Sequence, residues 1–278
     1  MSDPVELVAR SLDPETRATF EARVDDQAAY LADVIERGEL DADGFALGLE
    51  LEVYAVDDGS LTRLPESVFE ACNKELGLHN AELNTDPDRF TDAGIESQAR
   101  SLERQWERAR AAAQDAGCDL VLDAMWTRGP SEGSHEYLGD TERRNGTDLP
   151  RNMRAIPRYW AIDRHCVAQA GGAITFDVPG ATVEFPSILF ESLATSIQPH
   201  VQVPEAAQFP RYHDLGVRTL GPVLALATNS PFLPGDLYDD DVDPEWLLDA
   251  THHELRIAAF EQSVNHTDPP KVRVPDDL

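Results

Sequence analysis

Lysine is almost missing from this sequence. Of 23 basic residues in 278, only Lys74 and Lys271 are lysine, and the rest are arginine. Cysteine is scarce as well. Cys72, Cys118 and Cys166 are widely spaced, odd in number and form no CxxC, which leaves a disulfide framework or a thiolate zinc site unsupported. No stretch approaches the roughly 18 consecutive apolar residues of a membrane span. The N-terminus lacks a basic region followed by an apolar one. No membrane span and no signal peptide are expected, and the cytoplasm is the simplest compartment. Several motifs are missing too. Without a Walker A loop, a GxGxxG after a strand, a G-x-S-x-G or an HExxH, P-loop kinases, Rossmann dehydrogenases, typical α/β-hydrolases and zincins are disfavoured.

Acid dominates what is present. Asp and Glu number 52, for a formal net charge of -29. Such a chain repels phosphate backbones, so nucleic acid is not an expected partner. Abundant acid with almost no lysine is the compositional style of salt-loving microbes, whose surface charge is screened by salt. Hydrophobic residues make up 41%, enough for a folded core.

Periodicity then gives an outline. Residues 1–43 read as an N-terminal helical extension with a breaker at Gly38, and 44–278 as one main domain. "GFALGLELEVYAVDDG" (44–59) alternates as a strand and stops at a turn. "PESVFEACNKELG" reads as a short helix, "LHNAELNTDP" as an extended run, 93–117 as a long helix and "CDLVLDAMW" as a strand. Residues 127–158 read as polar loop with short helical turns. "SILFESLATSIQPHVQV" should end as a strand, "GPVLALATNSPFLPG" as a buried helix or strand, and "HHELRIAAFEQSV" as a last short strand. Strands returning at long intervals indicate an α+β fold.

The chemistry gathers at polar pairs spaced by two. Glu50 and Glu52 share a strand face, with Cα atoms about 7 Å apart. Facing inward, two unpaired carboxylates cost several kcal/mol. A hard divalent ion such as Mg²⁺ or Mn²⁺ offsets that cost; a solvated strand face is the plainer alternative. Glu82 and Asn84, the triplet Gln198, His200 and Gln202, and the pair Glu254 and Arg256 repeat the spacing. Each also has a structural alternative, as a satisfied core histidine or a surface charge pair. Between 143 and 164 stand six arginines (Arg143, Arg144, Arg151, Arg154, Arg158 and Arg164) opposed only by Asp148 and Asp163. Arginine suits bidentate recognition of phosphate or carboxylate, and ion pairing with the acidic bulk explains the cluster equally well.

These pieces, in order, resemble the type 2 glutamate–cysteine ligases and the related carboxylate–amine ligases. "GLELEVYAVDD" resembles the family's opening strand through Gly48, Glu50, Glu52 and Asp57, and "HNAELN" its next segment through Glu82 and Asn84. "PHVQV" is similar to a His-Val-His-Val strand, with Gln202 where a second histidine is usual. "LATNSPFLPG" and "HELR" resemble later elements, and Pro157-Arg158-Tyr159 an R-Y element before the His strand. The resemblance implies a glutamine-synthetase-like fold, a curved antiparallel sheet with helices behind it. It implies ATP, Mg²⁺ or Mn²⁺, and amino-acid substrates, glutamate and most readily cysteine, joined through an acyl phosphate. Glu50, Glu52, Glu82, His200 and Glu254 would be metal ligands. Glu50, Arg154 and Arg256 would meet the nucleotide, and Arg158 and Arg256 would steady the transferring phosphoryl group. Another amine acceptor, or a non-catalytic binding relative or partner subunit, is the alternative. The resemblance also allows a homo-oligomer. The chain ends at Leu278, soon after Arg256, where family members commonly continue, so a short or truncated variant is expected.

Overall fold

Strand β1 (Ala46–Asp57) is the axis of the molecule, which a computed structural model describes over residues 3–266. Its alternation is the cause. Val53 and Ala55 are fully buried on one face with Leu51 packed beside them, and these pack with Ala81, Leu83, Ala109 and Ala113. Ala109 and Ala113, four residues apart on helix α3 (Asp92–Asp115), present one smooth helical stripe to the sheet. Thr91 caps that helix by accepting from the Gly94 amide.

Six short strands pair antiparallel with β1 or its neighbours. They are β2 (Ser60–Leu61), β3 (Asn73–Lys74), β4 (Asn80–Asn84), β5 (Asp88–Arg89), β6 (Asp119–Val121) and β11 (Ile197–Gln202). Along one edge β1 meets β11 and then β6; along the other it meets β5, β4 and β2. The sheet is open and antiparallel, and the fold is α+β. The β1–β2 turn is Asp58-Gly59, both at positive φ (47° and 76°), as a two-residue hairpin requires.

The second core lies beyond the far end of β1, where Tyr54 joins Trp126, Tyr137, Phe176, Phe185 and Phe190. Two hairpins, β7 (Thr141–Arg144) with β8 (Thr147–Pro150) and β9 (Ile174–Val178) with β10 (Ala181–Phe185), surround it. So do helices α4 (Ser134–Gly139), α5 (Pro157–Gln169) and α8 (Leu255–Val264). Helix α1 (Pro4–Ser11) contributes Val5 and Val8 to the same core. Helix α2 (Pro14–Glu36) has Val34 as its buried residue. Helices α6 (Phe209–Ala227) and α7 (Pro244–Ala250) complete the described chain. No helix is long and apolar enough to cross a membrane among the described residues.

The structure corrects four sequence expectations. Within 127–158 lies the β7–β8 hairpin, turned by Asn145-Gly146 at φ 48° and 84°; the Asn-Gly pair is the hairpin signal. The helix expected over 65–77 is only a 3-10 turn, Glu66–Glu70, followed by β3. The late "HELR" strand is instead the start of α8, with Glu254 accepting from the Arg256 amide as its N-cap. The apolar run at 221–227, expected to be buried, is the exposed end of α6.

Phe190 stacks on Phe185 with centroids 5.1 Å apart and lies 5.2 Å from Phe176. Truncating it leaves a cavity under the 3-10 turn Ile188–Leu193. Phe190→Ala is expected to cost about 3–5 kcal/mol in chemical denaturation at constant salt.

Candidate metal centre

The register of β1 settles which side chains meet. Glu52 stands opposite Glu82, and Glu50 lies between Asn84 on β4 and Gln198 on β11. The even-numbered residues therefore share the face opposite α3. Glu50 and Glu52 share that face, and the register sets Glu52, not Glu50, opposite Glu82.

The tightest group is not the one read from sequence. Glu52, Glu75 and Glu82 each offer one oxygen, and these lie within 4.8 Å of one another. Glu75 was not among the sequence candidates, because the helix reading of 65–77 hid it. It follows β3 directly, and β3 pairs with β4 so that Asn73 faces Glu82.

Neighbours hold each carboxylate. Glu52 accepts from the Ser196 amide at 2.7 Å, the Ser196 hydroxyl at 3.1 Å and Gln198 Nε2 at 3.0 Å. Glu75 accepts from the Leu76 amide at 2.9 Å. Glu82 accepts from Asn84 Nδ2 at 2.7 Å. Burial raises the Glu52 carboxyl above its ordinary range, and the Glu82 charge adds to this against the Ser196 hydrogen bonds. Burial, with the charges of Glu52 and Glu82, pushes Glu75 up to about 7. Glu191, in the Ile188–Leu193 turn, is pushed to about 8 by burial and by Glu52 and Glu75. It is a fourth acid that sequence reasoning missed.

His79 fixes this turn against β4. Its Nε2 meets the Ser192 carbonyl at 3.0 Å, so Nε2 carries the proton and Nδ1 accepts from the Tyr137 hydroxyl at 3.0 Å. Burial lowers the imidazole to about 4, so it stays neutral. Asp163 ties α5 to the same turn, accepting from the Ser187 hydroxyl at 2.7 Å and the Ile188 amide at 2.8 Å.

The other sequence candidates separate. His200 shares the Glu50 face, but it is largely exposed and its Nε2 meets Glu50 Oε2 at 3.1 Å. Glu50 also lies 3.5 Å from Asn84 Nδ2. Gln202 reaches the Gly44 carbonyl at the sheet's end. Glu254 is buried and grips Arg256 in a two-point pair, with Nε and Nη2 each at 2.7 Å. A carboxylate so engaged is an anchor for its arginine rather than a free ligand. Arg256 also donates to the Thr195 carbonyl. It lines, with Glu52, Asp123 and Asn229, a cleft of about 220 Å³.

Most of the arginine cluster is structural. Arg143 pairs with Asp148, Arg144 with Glu142, Arg151 with Asp140 and Glu142, and Arg164 with Asp163. Arg154 is buried, donates to the Leu78 and Asn80 carbonyls and lies over the Phe69 ring at 4.1 Å. Its guanidinium braces the chain between β3 and β4 and does not open onto the cleft lined by Arg256. Arg158 is exposed beside the Tyr159 ring, and its charge is felt by Glu75.

The donor set fits a hard divalent cation. Three carboxylate oxygens converge, burial and neighbouring acids raise the proton affinity of Glu52 and Glu75, and oxygen-only ligation suits Mg²⁺ or Mn²⁺. Glu52, Glu75 and Glu82 are the residues that would hold it.

The raised Glu75 gives a pH prediction. Between its unfolded value of about 4.5 and its folded value of about 7, the folded state binds more protons. Stability of the metal-free protein therefore falls as pH rises through that window, by about 1–3 kcal/mol. Urea unfolding in EDTA from pH 5 to 7.5 should show the fall. Glu75→Gln should flatten it, and Mn²⁺ should restore the wild type at the upper end.

No curated protein matches this chain. The model of one family, glutamate-cysteine ligase family 2 (GCS2), matches residues 46–277, beginning at the first residue of β1 and taking in the whole carboxylate face. The chain belongs to the glutamate-cysteine ligase family 2.

Proposed function

We propose that the protein joins the γ-carboxylate of glutamate to an amine at the expense of ATP, with cysteine as the leading acceptor. The observation that carries this reading is the convergence of Glu52, Glu75 and Glu82 on one sheet face, in a chain of this ligase family. Three acids set so close serve no packing purpose, and they suit the cation that accompanies a nucleoside triphosphate.

The reaction balances in two steps. A glutamate oxygen attacks the γ-phosphorus, the bond to the β-phosphate oxygen breaks, and ADP departs to leave an acyl phosphate. The amine nitrogen then attacks the acyl carbon, phosphate leaves with the bonding pair, and the amine loses a proton. Neither step requires a protein nucleophile, which agrees with a face built of carboxylates and amides. A divalent cation, when bound, supplies positive charge to the phosphate oxygens.

The chain's own residues orient and neutralise. Ser196 and Gln198 aim Glu52, the Leu76 amide aims Glu75, and Asn84 aims Glu82. Arg256, steadied by Glu254, brings a fixed cation to the cleft that Glu52 lines, where it stabilises charge on the transferring group. Arg158 is the second such cation, on the Glu75 side. Scarce, widely spaced cysteine with no CxxC and the use of ATP suit a cytoplasmic enzyme.

ADP release at high salt is expected to require glutamate, an amine and Mg²⁺ or Mn²⁺ together, with cysteine the best of an amine panel. Glu82→Gln should lower kcat by about 100-fold or more, and Arg256→Lys by about 10-fold or more, with circular dichroism unchanged. ADP release that ignores glutamate, or an undiminished Glu82→Gln enzyme, contradicts the reading.

A further inference from the structure

A gap interrupts one edge of the sheet beside the carboxylate trio. β11 pairs with β1 as far as Leu51, and β6 takes up β1 only at Tyr54. Glu52 lies between them, its amide donating to the Ser196 carbonyl at 2.9 Å. The cleft of about 220 Å³ opens here, lined by Glu52, by 122–124 after β6 and by 195–197 entering β11. It is smaller than the roughly 300–1,000 Å³ of drug-sized ligand sites, so it suits a small molecule.

The two sides of the gap are tied together. The Thr195 amide donates to the Ala124 carbonyl at 2.8 Å, and the Thr195 hydroxyl donates to the Asp123 carbonyl. The Asp123 backbone is thereby fixed. Its carboxylate accepts from the Ala124 amide at 2.8 Å and, among the described residues, pairs with no cation. Arg256 lines the same cleft, yet its partners are Glu254, Asn229 and the Thr195 and Ala227 carbonyls. An acid and a guanidinium sharing so small a space attract each other. Each is instead held by its own neighbours, so the cleft offers both signs of charge to a ligand. Leu122 and Ile197, 51% and 53% exposed, add apolar lining.

These charges match the second step of the ligase reading, on which the inference rests. Phosphate leaves as an anion, and an amino-acid acceptor arrives as an ammonium whose lone pair is blocked by a proton. Glu52 already accepts from Ser196 and Gln198 and belongs to the cation site, which leaves Asp123 as the acid for the acceptor. We propose that the Asp123 carboxylate pairs with the acceptor's ammonium and takes one proton from it. The freed lone pair attacks the acyl carbon and the bond to the phosphate oxygen breaks. Phosphate leaves on the Arg256 side with the bonding pair and the nitrogen's surplus proton. Leu122 and Ile197 suit a short, weakly polar side chain on that acceptor.

Hydroxylamine tests this, because it is uncharged at neutral pH and needs no base before it attacks. With the full chain at high salt, and with glutamate, ATP and Mg²⁺ saturating, kcat/KM is measured for the best amino-acid acceptor and for hydroxylamine, from the amide or hydroxamate formed. Asp123→Asn should lower the amino-acid value about 100-fold and the hydroxylamine value less than about threefold. Hydroxamate formation by the variant also shows that it is folded and completes the first step. Equal losses with both amines, or an undiminished amino-acid value, overturn the proposal. A wild type that releases no ADP in response to glutamate sinks the ligase reading itself, and the Asp123 assignment with it.

Discussion

Carboxylates forced together on a half-buried sheet face repel one another, and the centre of this protein is organised around that repulsion. Glu52 and Glu82 are set opposite each other by antiparallel register, and Glu75 is brought in by the β3–β4 pairing. Among the described residues, none of the three is neutralised by an arginine in a direct pair. The surrounding donors are amides and hydroxyls, which orient the oxygens without cancelling their charge. Such a site is stable when protons or a cation enter it, and it is under electrostatic load when neither does.

The rest of the fold makes that load tolerable. One face of β1 is packed against α3 through small residues, behind the face that carries the acids. The turn carrying Glu191 is held from two directions, by neutral His79 just before β4 and by Asp163 from α5. Arg154 braces the backbone between Leu78 and Asn80, immediately before Glu82. Positive charge is thus spread over structural arginines, while Arg256, clamped by Glu254, stands beside Glu52 at the cleft.

Where local pattern governs, the sequence was legible. Alternation located β1 and put Glu50 and Glu52 on one face; the long helix read over 93–117 is α3; the Asp58-Gly59 turn was visible. Glu75 was not legible, because its place depends on a two-residue strand that no periodicity can register. Glu191 was hidden for a similar reason, in a 3-10 turn fixed by distant His79 and Asp163. Glu254 and Arg256 were correctly paired but placed on a strand. The spacing of two arises instead from an N-cap glutamate reaching the arginine of the first helical turn. The six-arginine segment resolved mostly into ion pairs, an outcome that composition could not separate from anion binding. Helix α6 reversed expectation, since apolarity predicts burial and the described residues leave it exposed.

The central claim is that Glu52, Glu75 and Glu82 jointly ligate one divalent cation. Anomalous diffraction from crystals soaked in Mn²⁺ addresses it without reference to activity. The account predicts an anomalous peak about 2.0–2.3 Å from one oxygen of each of the three carboxylates, lost in Glu75→Gln crystals. A peak bound only by Glu50 and His200, or none on this face at saturating Mn²⁺, would contradict it.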